Sequence, residues 1–188
     1  VHYIVNPATH KNIILRAKVL KMLRAKLDAT GAIEVDTPIL TDGTGANAAP
    51  FVTHYGALGR DVQLRVAPEL NLKMLDELGA IYEIGRQFRN EGIDSWHNPE
   101  FTSVEAYWPY WDIEDLITFN EDLFWHIAQA THETGCLNDE LSFWQPPYKR
   151  IDIRTALPAA LGLDVLPTDI HELRELLPKN IRDSAKSA

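Results

Sequence analysis

Residues 81–107 constrain this chain more than any other stretch, because two alternating runs flank a long polar loop. Ile81, Glu83, Gly85, Gln87 and Arg89 alternate with Tyr82, Ile84, Arg86 and Phe88; beyond the loop, Phe101, Ser103, Glu105 and Tyr107 alternate with Thr102, Val104 and Ala106. A side-chain period of two belongs to a β-strand, so the pattern predicts two antiparallel strands joined by a long loop. On the second strand one face is Val and Ala and the other is Phe, Ser, Glu and Tyr. Packing the apolar set inward turns the mixed polar and aromatic set toward a pocket.

The connecting run, Arg86-Gln-Phe-Arg89-Asn-Glu91-Gly-Ile-Asp-Ser-Trp-His97-Asn-Pro-Glu-Phe101, sets a cation and carboxylates beside histidine and an aromatic ring. Arg89 offers a planar fork of donors that can hold a phosphate through two hydrogen bonds and oppose charge developing during phosphoryl or nucleotidyl transfer. Glu91 can orient that guanidinium or a hydroxyl, His97 can reach an outer phosphate, and Phe101 supplies a stacking surface for a base. A lone Arg-x-Glu pair would read as an ordinary surface ion pair; the sixteen-residue run argues for a nucleotide site.

The remainder reads as mixed helix and strand. Residues Val1 to His10, with Pro7, look irregular. A helix from about Asn12 to Ala29 carries Ile13, Ala17, Leu20, Leu23 and Leu27 at helical spacing, and Gly31 ends it. Short strands are expected around Ile33 to Asp36, Phe51 to His54 and Val62 to Val66, with the Gly/Ala/Asn-rich stretch 42–49 as a pocket loop or flexible flap, a composition a plain linker would share. Ala67-Pro-Glu69 ahead of an apolar-periodic run reads as a helix start. Asp112 reads as the N-cap of a helix ending before Gly135, preceded by the aromatic run Tyr107, Trp108, Tyr110 and Trp111, of which all but Tyr107 read as core or interface. A strand at Tyr148 to Ile153 and helices near Thr155 to Leu161 and Thr168 to Leu176 follow, and residues 178–188 form a polar tail expected to be disordered.

With 188 residues, 45% of them hydrophobic, the chain suits one globular domain. No apolar run approaches the ~20 residues of a membrane span and no charged-then-apolar leader is seen, which points to the cytoplasm. One cysteine, Cys136, excludes an internal disulfide framework and any paired-cysteine metal site. His126 and His132 fall on different sides of their helix, so no metal is assigned. The formal charge of −9 argues against strong grip on nucleic acid, and Lys18, Lys21, Arg24 and Lys26 read as a solvated helix edge.

Gln87-Phe-Arg-Asn-Glu-Gly, then His97-Asn-Pro-Glu-Phe101 and Glu105-Ala-Tyr107, closely resembles motif 2 of class II aminoacyl-tRNA synthetases of the lysyl type. Gly31-Ala-Ile-Glu-Val-Asp-Thr-Pro38 resembles motif 1, through which these enzymes dimerise; Gly43-Thr-Gly45-Ala-Asn and Val66-Ala-Pro-Glu69-Leu are similar to substrate-pocket segments. The resemblance covers about residues 10–165. It implies an α+β core on an antiparallel sheet flanked by helices, and a lysine–tRNA ligase-type activity that activates lysine with ATP and Mg²⁺. It implies that Arg89 binds the α-phosphate and the lysine carboxylate, that Glu91, His97 and Phe101 contact ATP, and that Gly45, Glu69, Glu105 and Tyr107 hold lysine. Pro38 would mark a homodimer interface. Two carboxylates suit a cationic substrate, since an ammonium group leaving water needs strong acceptors; relatives that activate aspartate or asparagine typically carry Gln where Glu69 stands.

The family also carries an amino-terminal anticodon-binding OB-fold and a motif 3, and neither is recognised in these 188 residues; no Gly-x-Gly-x-Gly-(hydrophobic)-Asp-Arg run occurs. The expectation is therefore an incomplete catalytic core, binding tRNA weakly if at all on its own. The alternative is a lysine- and ATP-binding or dimerising partner module.

Overall fold

A computed structural model describes residues 6–43, 46–135 and 140–176. By its internal contacts the chain divides into two compact units, Val1–Pro146 and Pro147–Ala188. In the first, helix α1 (Pro7–Asp28) leads through β1 (Ile33–Glu34), β2 (Leu40–Thr41), β3 (Val52–Tyr55) and β4 (Arg60–Leu64) to the short helix α2 (Glu69–Lys73). A 3₁₀ turn (Asp76–Leu78), strands β5 (Ile81–Phe88) and β6 (Glu100–Tyr107), helix α3 (Ile113–Glu133) and a second 3₁₀ turn (Leu141–Trp144) complete it.

The predicted hairpin is present: β5 and β6 pair antiparallel from Ile81 opposite Tyr107 to Phe88 opposite Glu100. β1 joins the free edge of β5 in parallel, giving the order β1-β5-β6, and β2, β4 and β3 form a second, antiparallel sheet. Of the hairpin residues, Tyr82, Ile84 and Ala106 face the core. Tyr82 packs with Leu27 of α1 and Ala32, and Ile84, Ala106, Trp108 and Phe119 close around them. The Tyr82 hydroxyl donates to Asp28 Oδ1 at 2.7 Å, so this large ring is buried with its polar tip satisfied. Trp108 stacks on Trp111 at 4.4 Å and donates its indole N–H to Thr30 Oγ1. Tyr110, by contrast, is fully exposed, at φ 70°.

Three local expectations need correction. The segment from Pro7 is helical, not irregular: Asn6 caps it by accepting from Ala8 N and Thr9 N, and a proline at the first helical position gives up an N–H that has no helical partner there. β2 was not anticipated, because two residues carry no readable period. Tyr148 to Asp152 form no strand. Asp152 instead caps helix α4 (Ile153–Ala160) of the second unit by accepting from Arg154 N at 2.9 Å, followed there by α5 (Ile170–Leu176). The expected tail beyond residue 176 lies outside the described residues.

α3 starts where expected, with Asp112 and Asp115 forming a reciprocal capping box. Gly31, at φ 83°, turns the chain out of α1, a conformation that β-carbon sterics discourage in other residues. Of the basic residues on α1, Arg24 pairs with Glu34 and Lys26 with Asp122. Among the described residues no helix is long and apolar enough to cross a membrane, and no cluster of three or more potential metal ligands occurs.

Candidate active site

The face of the hairpin turned away from that core carries Ile81, Glu83, Gly85 and Gln87 on β5, opposite Tyr107, Glu105, Ser103 and Phe101 on β6. At its loop end, Arg89, Glu91, His97 and Phe101 come together with Gly92, Trp96 and Asn98 around one cavity of about 250 Å³. Asp94 folds the loop back: its Oδ1 accepts from Trp96 N at 2.6 Å and His97 N at 2.7 Å, and its Oδ2 meets His97 Nδ1 at 2.7 Å. Those donors hold the Asp94 carboxyl down at about 2, the His97 side chain first among them. With Nδ1 engaged, the Nε2 atom of His97 is the ring nitrogen left for a ligand.

Arg89 is half-buried, its Nε donating to Val66 O at 3.3 Å and its guanidinium carbon 5.0 Å from the centre of the Phe101 ring. The ring therefore braces the cation while keeping its own apolar surface. Glu91 Oε1 accepts from Ala49 N at 3.2 Å, and Asn90 N donates to Ala49 O at 2.7 Å. These bonds tie the small-residue stretch before β3 to the hairpin. Gly45 lies outside the described residues.

Glu69, Glu105 and Tyr107 are not among the residues lining that cavity; Glu105 and Tyr107 sit further along the same face, and Glu69, at the start of α2, is close enough to act electrostatically on both. Tyr107 donates to Glu105 Oε2 at 3.3 Å, and Glu69 is held by Lys73 Nζ at 2.6 Å across one helical turn. Burial raises the Glu105 carboxyl above its ordinary range; the Tyr107 hydrogen bond opposes this, Glu69 and Glu83 add to it, and Arg65 opposes it. Burial, Glu105 and Glu69 push the Tyr107 hydroxyl up to about 12, so it remains a donor at neutral pH. Half-buried carboxylates in mutual electrostatic contact form a place where a cation replaces repulsion with attraction.

Sequence reasoning missed the residues beneath. Glu83 and Arg65 are each 2% exposed and pair at 2.5 Å, while Thr37 Oγ1 donates to Glu83 Oε2 at 2.7 Å. Glu83 shares its parity with Gln87 and stands opposite Glu105, the one available hint. Both amide atoms of Gln87 and Ser103 Oγ, on the same face, are buried and without a partner among the described residues. Pro38 is exposed in the segment between β1 and β2.

A family model described as tRNA synthetases class II (D, K and N) matches residues 1–182. A lysine–tRNA ligase of Aquifex aeolicus (strain VF5) is 42% identical over 182 residues, covering 92% of this chain and 30% of that protein. Lysine–tRNA ligase cla4 of Cladosporium cladosporioides is 43% identical over 197 residues, covering 94% and 32%. A lysine–tRNA ligase of Chloroflexus aurantiacus (strain ATCC 29366 / DSM 635 / J-10-fl) is 41% identical over 181 residues, covering 93% and 37%. The chain thus spans about a third of the length of these curated relatives.

Proposed function

The chain belongs to the class II tRNA synthetases of the D, K and N group, and from that membership we propose that its hairpin face binds lysine and ATP for adenylate formation, the first step of a lysine–tRNA ligase reaction. The observation that carries this reading is the hairpin face on which Arg89, Glu91, His97 and Phe101 line a cavity while Glu105 and Tyr107 stand further along, within electrostatic reach of Glu69 on α2. ATP enters with its Mg²⁺ as substrate. Phe101 stacks on the base, Glu91 and His97 contact the nucleotide, and Arg89 holds the α-phosphate and the lysine carboxylate together.

A lysine carboxylate oxygen attacks the α-phosphorus in line, the bond to the bridging oxygen breaks, and pyrophosphate leaves with the electron pair. Charge accumulates on the α-phosphate oxygens as this happens, and Arg89 neutralises it without reorganising, because Val66 O and Phe101 already hold it. Glu105 and Glu69 accept the lysine ammonium groups, with Glu69 exchanging its Lys73 contact for the substrate. We extend the reading to a cytoplasmic homodimer formed through α1 and the segment around Pro38. Ile13, Ile14, Ile33, Ile39 and Leu40 there each leave about half of their surface in solvent, which a second copy would cover. Engagement of tRNA would be weak for this chain alone.

Titration of the chain with lysine and Mg-ATP, separately and together, followed by lysine-dependent ATP–pyrophosphate exchange on the same sample, tests the reading. Binding of both, with exchange above a boiled control, is expected. Binding without exchange would restrict the chain to a ligand-binding partner module, and failure of both ligands to bind would overturn the proposal.

A further inference from the structure

Glu83 and Glu105 are direct cross-strand partners on one face, a placement that brings β-carbons within about 4.5–5.5 Å and penalises two like charges. A buried carboxylate so placed either loses its charge or acquires a cation. Here the cation is Arg65, just past the end of β4. Its Nη1 lies 2.5 Å from Glu83 Oε1 and donates to Thr37 O at 2.9 Å and to Thr37 Oγ1 at 2.8 Å, while Nε donates to Arg86 O at 3.0 Å. Thr37 Oγ1 in turn donates to the other Glu83 oxygen at 2.7 Å, and Thr37 N reaches it at 3.3 Å. The guanidinium cannot swing toward Glu105 without abandoning two backbone carbonyls.

Gly85 makes room for this arrangement. A β-carbon at that position would collide with Arg65 Nη2 and approach Glu83 Oε1 to 2.7 Å. The absence of a side chain is therefore a requirement of the pair, at a φ any residue could adopt.

We propose that Arg65 and Glu83 form a matched, immobile pair that positions the charge of the substrate pocket, cancelling Glu83 so that Glu105 is the strand carboxylate available to an ammonium group. This rests on the reading of the pocket as a lysine site and names the device that sets its charge. The charged and titratable groups facing Glu105 are Glu69 from α2, Glu83 from β5, Arg65 after β4 and Tyr107 on its own strand. Of these, Arg65 and Glu83 can be unmatched one at a time.

The test follows the side-chain carboxyl carbons of Glu105 and Glu83 by NMR through a pH titration of the ¹³C-glutamate-labelled chain, with Glu105→Gln assigning the resonance. Glu83→Gln keeps the shape, exchanges one acceptor oxygen for a donor and leaves the Arg65 charge unmatched, so the Glu105 midpoint should move down and lysine affinity should fall about tenfold. The double variant Arg65→Met/Glu83→Gln should restore both. Arg65→Met alone should make the two carboxylates share a proton, adding a titration step above the wild-type Glu105 midpoint, and Arg65→Lys should remove that step. An unmoved Glu105 midpoint in Glu83→Gln overturns the proposal, as does an effect the double variant fails to reverse; should Arg65→Met not fold, the Glu83→Gln result decides alone. A scaffold role would lower stability and leave the titration in place. If the midpoints move as described while the wild-type chain binds no lysine, the reading of the pocket fails and the positioning pair stands.

Discussion

At the loop end of the hairpin face, Asp94 organises His97 through contacts two or three residues long and open to solvent, whereas at the other end Glu83 depends on Thr37, forty-six residues away, and on Arg65, with both ion partners sealed from water. The two ends carry charged groups of the same kinds and differ in dielectric surroundings. Exposed pairs are screened and contribute little, while breaking a buried pair strands a charge in a poor solvent. The loop end should therefore tolerate substitution and govern ligand contacts, and the buried end should govern stability and pocket charge.

The largest effect should come from Glu83→Ala, which leaves the Arg65 guanidinium buried with neither an anion nor an acceptor in its place. A loss of about 3–5 kcal/mol is expected in urea denaturation, and a loss within the range of a surface substitution would erase the difference between the ends. Next comes Arg89→Ala, expected to weaken Mg-ATP binding about a hundredfold and lysine binding as well, with little change in stability, by calorimetric titration. If nucleotide affinity held, the loop-end cavity would not be the phosphate site.

Glu105→Gln should follow, weakening lysine about tenfold and leaving ATP affinity unchanged; equal losses would sink the assignment. Its pH dependence has a definite sign. The folded-state pKa of Glu105 is raised, so its contribution to stability is complete below the unfolded value near 4.3 and is lost as pH rises through the folded value. Lysine binding needs the ionised form, so affinity should climb over the same interval in which that contribution fades, and Glu105→Gln should flatten the climb. The smallest effect should be that of Asp94→Ala. With its folded pKa at about 2, Asp94 supports the loop above its unfolded value and loses that support as pH falls toward 2. Hydrogen exchange at the Trp96 and His97 amides should accelerate, with only a few-fold change in ATP affinity; a collapse of the whole domain would show that the loop end is structural after all.

The same contrast explains what could be read from the chain alone. The hairpin was legible because eight-residue strands repeat a period of two, and the Asp112 cap of α3 because a capping box is confined to four residues. Arg89, Glu91, His97 and Phe101 converge within a run of thirteen positions, where the loop leaves few arrangements open. The start of α1 departs from the irregular segment expected there because Asn6 caps the helix and Pro7 occupies a first-turn position where its missing N–H costs nothing. At Tyr148 to Asp152 a weak alternation lost to Asp152 as a cap, a local contact that forms without any partner strand.

Local period, turn chemistry and the spacing of the loop residues thus determined, without reference to any fold, the hairpin and the gathering of its loop residues around one cavity. Tertiary structure alone decided that Arg65 comes to Glu83, that Gly85 must lack a side chain, and that Glu105 stands across the strands from that buried pair. A buried charge is tolerated only where its partner arrives, and that partner is chosen by the register and packing of two sheets, which no window along the chain contains.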